Sequence, residues 1–154
     1  MQKNLVTILK KATSEALQDV NHLVSQLSLG PTPCKPLTHA QLKELVSQKN
    51  AFFLTVSAQE GKRKKIIGFQ ILYFVRIPSG VLAVLEDLFV EEPYRKWGVG
   101  RSLMEYAIVA AEKKGARHIS LRTNPKREEA NKLYQHMGFH LMTTNFYRIN
   151  LPRK

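Results

Sequence analysis

The chain has 154 residues, a length that suggests one domain, residues 1–154, with enough chain to bury a sizeable core. Its 44% content of hydrophobic residues is typical of a globular protein. No apolar run approaches the roughly 20 residues of a membrane span, so we expect no membrane-spanning segment. The one cysteine, Cys34, has no second cysteine to pair with, which favours a reducing, cytoplasmic setting.

The charge of the chain is strongly positive: 24 Lys and Arg against 12 Asp and Glu give a net charge of +12. A chain this basic is compatible with nucleic acid, an anionic membrane or a phosphorylated ligand as partner. The basic residues are dispersed except for the run Lys62 to Lys65, which follows Gly61 between two apolar stretches. We interpret that run as the solvated loop of a hairpin, with a nucleic-acid patch as the alternative.

The first part of the chain predicts one strand and two helices. Leu5 to Leu9 is a short apolar run typical of a strand. Thr13 or Ser14 can cap a helix whose apolar residues, from Ala16 to Leu27, recur at helical spacing. The segment Thr38-His39-Ala40-Gln41 has the composition of a capping box, and it predicts the start of the second helix.

The remainder of the chain alternates strands and helices. Val81 to Val90 is apolar on both faces apart from Glu86 and Asp87, which predicts a central strand. Short turns between three successive strands indicate an antiparallel part, and a later strand-helix-strand unit indicates a parallel crossover. We therefore predict an α/β fold with a mixed sheet and helices on both faces. The predicted strands are Ala51–Ser57, Ile66–Ile77, Val81–Val90, His118–Thr123, Phe139–Thr143 and Phe146–Leu151, and the predicted helices are Arg101–Lys114 and Glu128–Met137.

A basic glycine loop follows the central strand and leads into a helix. Such a loop presents unpaired backbone N–H groups and the positive end of a helix dipole, which suits a phosphate-bearing ligand. The P-loop pattern is absent, and the third small residue of the dinucleotide fingerprint is missing because Leu103 stands there. The loop instead matches Arg/Gln-x-x-Gly-x-Gly/Ala through Arg95, Gly98 and Gly100.

A second motif makes the loop specific. Asn131, Tyr134 three residues on, and Gly138-Phe139 at the end of the helix follow the loop in a set order. With these two motifs the chain resembles the GNAT superfamily of acetyl-CoA-dependent N-acetyltransferases. The resemblance implies a mostly antiparallel mixed sheet of about seven strands, splayed between strands 4 and 5 and flanked by about four helices. It also implies acetyl-CoA as cosubstrate and an amine as acceptor.

The resemblance also implies a donor site. The loop would hold the pyrophosphate, and pantetheine would pair with the backbone of Leu88 and Val90 in the gap of the sheet. Asn131 and Tyr134 would lie on the other side of this arm. The expected donor-site residues are Leu88, Phe89, Val90, Arg95, Lys96, Trp97, Gly98, Val99, Gly100, Arg101, Ser102, Asn131 and Tyr134.

Three residues are candidates for the chemistry. The position of Tyr134 matches the family's usual general acid for the leaving thiolate. The plainer interpretation is that Tyr134 is one more apolar residue on the buried side of its helix. Glu86 and Asp87 would hold the acceptor amine or take its proton, and a structural ion pair is the alternative. Neighbouring strand residues point to opposite faces, so only one of the two faces the acceptor unless a bulge intervenes.

The acceptor is not identified by the sequence, and a small amine or amino-sugar-like molecule is favoured over a protein. The variable acceptor loops are expected at Leu29–Thr38, Ile77–Gly80 and Asn145–Arg148. His136 and His140 lack a carboxylate to complete a metal set, so no metal is expected. The alternative function is an acetyl-CoA-binding regulatory or nucleic-acid-associated module with a basic surface. Monomer and homodimer both remain open.

Overall fold

The computed structural model describes residues 4–26 and 34–152. The strands are β1 (Val6–Ile8), β2 (Ala51–Glu60), β3 (Arg63–Ile77), β4 (Gly80–Val90) and β5 (Ala116–Leu121). The helices are α1 (Ser14–Val24), α2 (His39–Ser47), α3 (Val99–Lys113) and α4 (Glu128–His136), with a 3-10 turn at Glu92–Tyr94.

The strands form one mixed sheet in the order β1-β2-β3-β4-β5. The first three pairings are antiparallel, and β4 pairs with β5 in parallel. The parallel pair is joined by α3, because two parallel neighbours need a crossover that returns the chain to the same end of the sheet. The predicted mixed sheet with a late parallel crossover is therefore confirmed.

Apolar side chains form a core on each face of the sheet. On one face, α1 and α2 cover a cluster that includes Leu23, Leu42 and Phe69. On the other face, α3 covers a cluster that includes Leu72 and Leu103, and side chains of α4 pack against its edge. Within the two described ranges, no helix combines the length and the apolar composition needed to cross a membrane.

The first two helices begin where the sequence predicts. The Thr13 hydroxyl accepts a hydrogen bond from the Ala16 amide at 3.1 Å, so Thr13 is the cap of α1. Thr38 and Gln41 form the predicted capping box of α2. Capping of this kind satisfies amides that the first helical turn leaves without a partner. The predicted end of α1 beyond Gln26 lies outside the described residues.

The two strands predicted after α4 do not form. Residues 139–152 have no regular structure, so the described sheet has five strands instead of about seven. Large apolar side chains of this segment stay open to solvent, with 93% of Leu141, 85% of Tyr147 and 83% of Ile149 exposed. The segment has the alternation of a strand, but a strand forms only where a neighbouring strand supplies backbone partners.

The basic run is not simply a solvated loop. Lys62 lies in the turn, but Arg63 begins β3, and its guanidinium binds the buried carboxylate of Asp19 at 2.9 and 3.1 Å. Lys65 binds the buried carboxylate of Glu91 at 3.0 Å. The prediction of a loop over all four residues was wrong because two of them neutralise acids on neighbouring elements.

Candidate active site

The sheet opens between β4 and β5. The pairing of these strands ends at Leu85 and Leu121, while β4 continues to Val90 and the chain after Leu121 leaves the sheet. Residues 86–90 of β4 therefore present one backbone edge to a gap. The splay that the family resemblance implies lies at this point.

A β-bulge shapes the same stretch of β4. Ile71 of β3 lies opposite Glu86 and Phe69 opposite Phe89, so that Asp87 and the residue after it share one partner position on β3. Asp87 has φ of 53°, a left-handed conformation that few residues other than glycine adopt. The extra residue breaks the alternation of the strand, so both carboxylates can line the same cavity.

Two cavities meet at this bulge. The first, which we call the carboxylate cavity, has a volume of about 380 Å³ and is lined by Glu86, Asp87 and Tyr134, among other residues. The second, the loop cavity, has a volume of about 800 Å³ and lies over the start of α3. Leu88 and Arg127 line both cavities. The two cavities are therefore neighbours that share these two residues as a wall.

The start of α3 forms the floor of the loop cavity. Gly98 caps the helix with φ of 78°, and the first helical hydrogen bond runs from the Ser102 amide to the Gly98 carbonyl at 2.9 Å. The amides of Val99, Gly100 and Arg101 precede that bond, so helix geometry leaves them without an intrahelical acceptor. Their positive helix end suits an anion.

Glycine at position 100 brings α3 and α4 close together. A Cβ atom built there would lie 3.3 Å from Leu133 Cδ2 and 3.8 Å from Val90 Cγ2. A side chain at position 100 would therefore crowd Leu133 of α4, and glycine leaves that space free. The α3 helix begins two residues before the predicted Arg101, so Gly100 lies within its first turn.

Most of the predicted donor-site residues line the loop cavity. Of the thirteen, nine do so: Leu88, Phe89, Val90, Arg95, Lys96, Gly98, Val99, Gly100 and Arg101. Tyr134 lines the carboxylate cavity instead. Trp97, Ser102 and Asn131 are not among the residues that line either cavity in the described part of the chain.

The structure gives two of those three side chains other contacts. Trp97 is 65% exposed and packs edge-on against Tyr94, with ring centroids 5.7 Å apart. The Asn131 amide donates to the carbonyls of Asn124 and Arg127 at 3.1 and 2.9 Å. Asn131 therefore holds the turn that precedes α4, instead of facing the loop cavity.

The two carboxylates have different surroundings. Glu86 accepts a hydrogen bond from the Arg122 guanidinium at 2.9 Å, which is the ion pair that the sequence left open. Asp87 lines the cavity as an exposed residue, yet the protein around its carboxyl removes enough water to raise the pKa of that group. The charge of Glu86 raises that pKa further, and Arg127 opposes the change.

Tyr134 projects from α4 into the carboxylate cavity. Burial raises the pKa of its phenol above the usual 10.0, and the nearby Arg127 offsets part of that effect. The phenol is therefore protonated at neutral pH and can donate a proton. Its ring contacts Phe139, with centroids 6.3 Å apart, and the Phe139 amide donates to the Tyr134 carbonyl at 3.0 Å.

Sequence reasoning missed the contribution of β3 to this site. Gln70 and Tyr73 line the carboxylate cavity from that strand. Burial and then the charges of Asp87 and Glu86 raise the pKa of Tyr73. The only signal in the sequence was a polar glutamine inside an otherwise apolar run.

The expected acceptor loops contribute unequally. Leu37 lines the carboxylate cavity, and residues 29–33 of the same loop lie outside the described part of the chain. The stretch Ile77–Gly80 does not line it in the described chain. Phe146 packs under the Arg122 guanidinium, 4.9 Å from ring centroid to Cζ, so the last loop touches the ion pair at the cavity wall. Among the described residues, no cluster of three or more His, Cys, Asp or Glu could hold a metal ion.

Comparisons with known proteins identify the family of the chain and structures that share its fold. The model of the acetyltransferase (GNAT) family matches residues 17–139. No curated protein matches the chain. Solved structures share the fold. Ribosomal-protein-alanine N-acetyltransferase from Brucella melitensis biovar Abortus 2308 is 18% identical, with a TM-score of 0.78 over 97% of this chain and 98% of that one.

Two further structures have the same fold. A transcriptional regulator from Bacillus halodurans C-125 is 22% identical, with a TM-score of 0.77 over 96% of this chain and 99% of that one. AAC(6')-Iy, solved with the bisubstrate analogue CoA-S-monomethyl-acetylneamine, is 21% identical, with a TM-score of 0.71 over 96% and 98% of the two chains. Such likeness shows the fold, and the family model, which matches more than half of the chain, shows the family. The chain belongs to the GNAT family of acetyltransferases.

Proposed function

We propose that this protein transfers the acetyl group of acetyl-CoA to a small primary amine by direct attack within a ternary complex. The observation that carries the proposal is the meeting of the two cavities at Leu88. One cavity has helix-start amides and cations, which suit a phosphate-bearing donor. The other has carboxylates and a buried phenol, which suit proton transfer. Both substrates would then meet at one point.

The donor would occupy the loop cavity. Its pyrophosphate would accept hydrogen bonds from the amides of Val99, Gly100 and Arg101, and the side chains of Arg95 and Lys96 would add positive charge. Pantetheine would run along the open edge of β4 from Val90 to Leu88. The support for this placement is the end of the β4–β5 pairing at Leu85, which leaves that edge facing the gap.

Proton transfer would be divided between Asp87 and Tyr134. As the amine nitrogen forms its bond to the acetyl carbon, Asp87 takes the proton that nitrogen loses. The carbon–sulfur bond then breaks, and the Tyr134 phenol protonates the leaving thiolate. Asp87 is the better base, because the Glu86 carboxylate is held in the ion pair with Arg122 at 2.9 Å. Glu86 would shape the wall that receives the acceptor.

The carboxylate cavity favours a compact acceptor. At about 380 Å³ it holds a small molecule, and its far wall is apolar, with Val24, Leu37 and Leu45 contributed by α1, α2 and the chain between them. Two fold neighbours bear on the acceptor class: one is a ribosomal-protein-alanine N-acetyltransferase, and another is bound to an acetylneamine analogue. The size of this cavity favours the second kind of acceptor over a protein chain.

Thiol release from acetyl-CoA in the presence of an amine panel tests the proposal. We expect amine-dependent release that falls in Tyr134→Phe and in Asp87→Asn. Tyr106→Phe is the matched control, because this partly buried tyrosine of α3 lines neither cavity. Binding of acetyl-CoA without release for any amine would refute the transfer reaction. Absence of acetyl-CoA binding would refute the donor site itself.

The second candidate is an acetyl-CoA-binding module that acts on nucleic acid. Its support is the net charge of +12, together with the transcriptional regulator from Bacillus halodurans C-125 that shares the fold. It predicts binding to duplex DNA or RNA that weakens steeply as salt rises. A mobility-shift assay that detects no complex even at low salt would exclude this candidate.

A further inference from the structure

Gln70 is a polar residue in the middle of the sheet. It is 1% exposed, and its neighbours along β3, Phe69, Ile71 and Leu72, are buried apolar residues. Its amide nitrogen donates to the Met104 sulfur at 3.3 Å, which is a weak acceptor. Its carbonyl oxygen Oε1 is buried and has no hydrogen-bond partner among the described residues.

Two other buried polar side chains, Thr55 of β2 and Asp19 of α1, do have partners, whereas one oxygen of the buried Glu91 carboxylate also lacks one among the described residues. The Thr55 hydroxyl pairs with Thr7 at 3.1 Å, and the Asp19 carboxylate receives the Arg63 guanidinium and the Ile66 amide. A buried acceptor without a partner is unfavourable, and native proteins rarely keep one unless a ligand or water completes it. A leucine or methionine at position 70 would avoid the cost.

The position of Gln70 indicates which molecule could donate the missing hydrogen bond to its side-chain oxygen. Gln70 is the β3 residue opposite the bulge, between the pairs that Phe69 and Ile71 make with β4. It lines the carboxylate cavity together with Asp87 and Tyr134, and Leu88 lines both this cavity and the loop cavity. The residue that carries the unpaired oxygen therefore lines the space in which the proposed reaction would occur.

We propose that Gln70 Oε1 accepts a hydrogen bond from the attacking amine and thereby makes the enzyme selective for primary amines. This inference rests on the proposed function. A neutral primary amine has one lone pair and two N–H bonds. With the lone pair directed at the acetyl carbon, one N–H points to Asp87 and the other to Gln70.

The step balances without any change at Gln70. The carbon–nitrogen bond forms, the carbon–sulfur bond breaks, Asp87 receives the amine proton and Tyr134 protonates the thiolate. A secondary amine has only one N–H, so it cannot satisfy both Asp87 and Gln70. A site built to accept a hydrogen bond rejects analogues that lack the donor, because its own buried group is then left unpaired.

The test compares wild type with Gln70→Met, which keeps the length of the side chain and removes its polar atoms. The probes are benzylamine, phenethylamine and glucosamine, each beside its N-methyl derivative, and the measurement is the ratio of kcat/KM within each pair. For the best pair we expect wild type to prefer the primary amine about 100-fold and Gln70→Met to lower that preference at least tenfold. The dissociation constant for acetyl-CoA and the thermal midpoint should not worsen.

Thr55→Val is the matched control, because it removes another buried polar group of the same sheet that has a partner within the chain. We expect it to lower the thermal midpoint and leave the amine preference unchanged. An unchanged preference in Gln70→Met, or a fall equal to that in Thr55→Val, would overturn the role of Gln70 while leaving the transferase intact. A wild type that acetylates none of the probes, in contrast, would count against the proposed function as well.

Discussion

Alanine at Gly98 and alanine at Gly100 should change stability in opposite directions. Gly98 has φ of 78°, where an L-residue costs about 1–2 kcal/mol, and the space around it is open, with the nearest atom, Asn4 Nδ2, at 3.7 Å. The conformation alone therefore sets the cost of Gly98→Ala. Gly100 lies in the first turn of α3, where alanine is favoured over glycine by about 0.5–1 kcal/mol.

The new methyl group at position 100 would come within 3.3 Å of Leu133 Cδ2. That atom ends a flexible, half-buried side chain, so a shift of a few tenths of an ångström relieves the contact at small cost. The two variants should thus differ by about 2 kcal/mol in unfolding free energy. For a chain of this length that separates their thermal midpoints by roughly 4–8 °C.

Donor affinity should follow the same order. Gly98→Ala distorts the loop that directs the helix-start amides, and we expect acetyl-CoA to bind at least about tenfold more weakly, which corresponds to about 1.4 kcal/mol. Gly100→Ala should bind within about threefold of wild type, because the loop pattern accepts alanine at this position. Differential scanning calorimetry and isothermal titration calorimetry measure the two quantities. Equal midpoints for the variants, or wild-type affinity in Gly98→Ala, would refute the reasoning.

Three further outcomes are expected. The raised pKa of Asp87 means that its base form appears only above the usual 3.8. After correction for the fraction of free amine, kcat/KM should therefore rise as the pH passes through that higher pKa. The rise should be missing in Asp87→Asn. Tyr134→Phe should lower kcat by about 10²–10⁴-fold without moving the thermal midpoint, as steady-state thiol release will report; an unchanged kcat would remove the proton-donor role. Asp19→Ala should lower the unfolding free energy by about 1–3 kcal/mol, because the buried amide of Ile66 loses its partner, and urea titration beside the exposed control Gln18→Ala checks this. Equal urea midpoints for Asp19→Ala and its control would contradict that account.

Local signals in the sequence predicted the parts of the fold that depend on local chemistry. Thr13 and Thr38 cap their helices as expected, because a cap needs only a hydroxyl and an amide three residues on. The glycine loop was found for the same reason. Its left-handed residue and its unpaired amides belong to one short segment. The motif that identifies this segment, Arg95, Gly98 and Gly100, lies within the segment itself.

Features that depend on distant residues could not be obtained this way. The segment Phe146–Leu151 has the pattern of a strand, but pairing is decided by a neighbour elsewhere in the chain, and that pairing does not form. Two cations of the basic run bind Asp19 and Glu91, which are 44 and 26 residues away in the chain. Local sequence identified these charges without identifying their partners.

The candidate site also has parts that local sequence predicts and parts that depend on distant residues. Glu86, Asp87 and Tyr134 were predicted from the sequence, and all three line one cavity. The sequence indicated only that both carboxylates could face one side if a bulge were present, and the structure has that bulge. Gln70 was missed, because a lone polar residue in an apolar strand gives no sign of what it faces. The cavity in which we propose its role is lined by residues of the core clusters on both faces of the sheet.

The space that Gly100 leaves beside Leu133 has a consequence for the length of donor that the site accepts. The turn that would grip the phosphates lies beside the helix that carries Tyr134, with no side chain at position 100 to separate them. We therefore expect the distance between the anion site and the Tyr134 phenol to vary little. The site would then select donors by length. A thioester on a shorter or longer arm would place its sulfur away from the Tyr134 phenol, however well its phosphates were held.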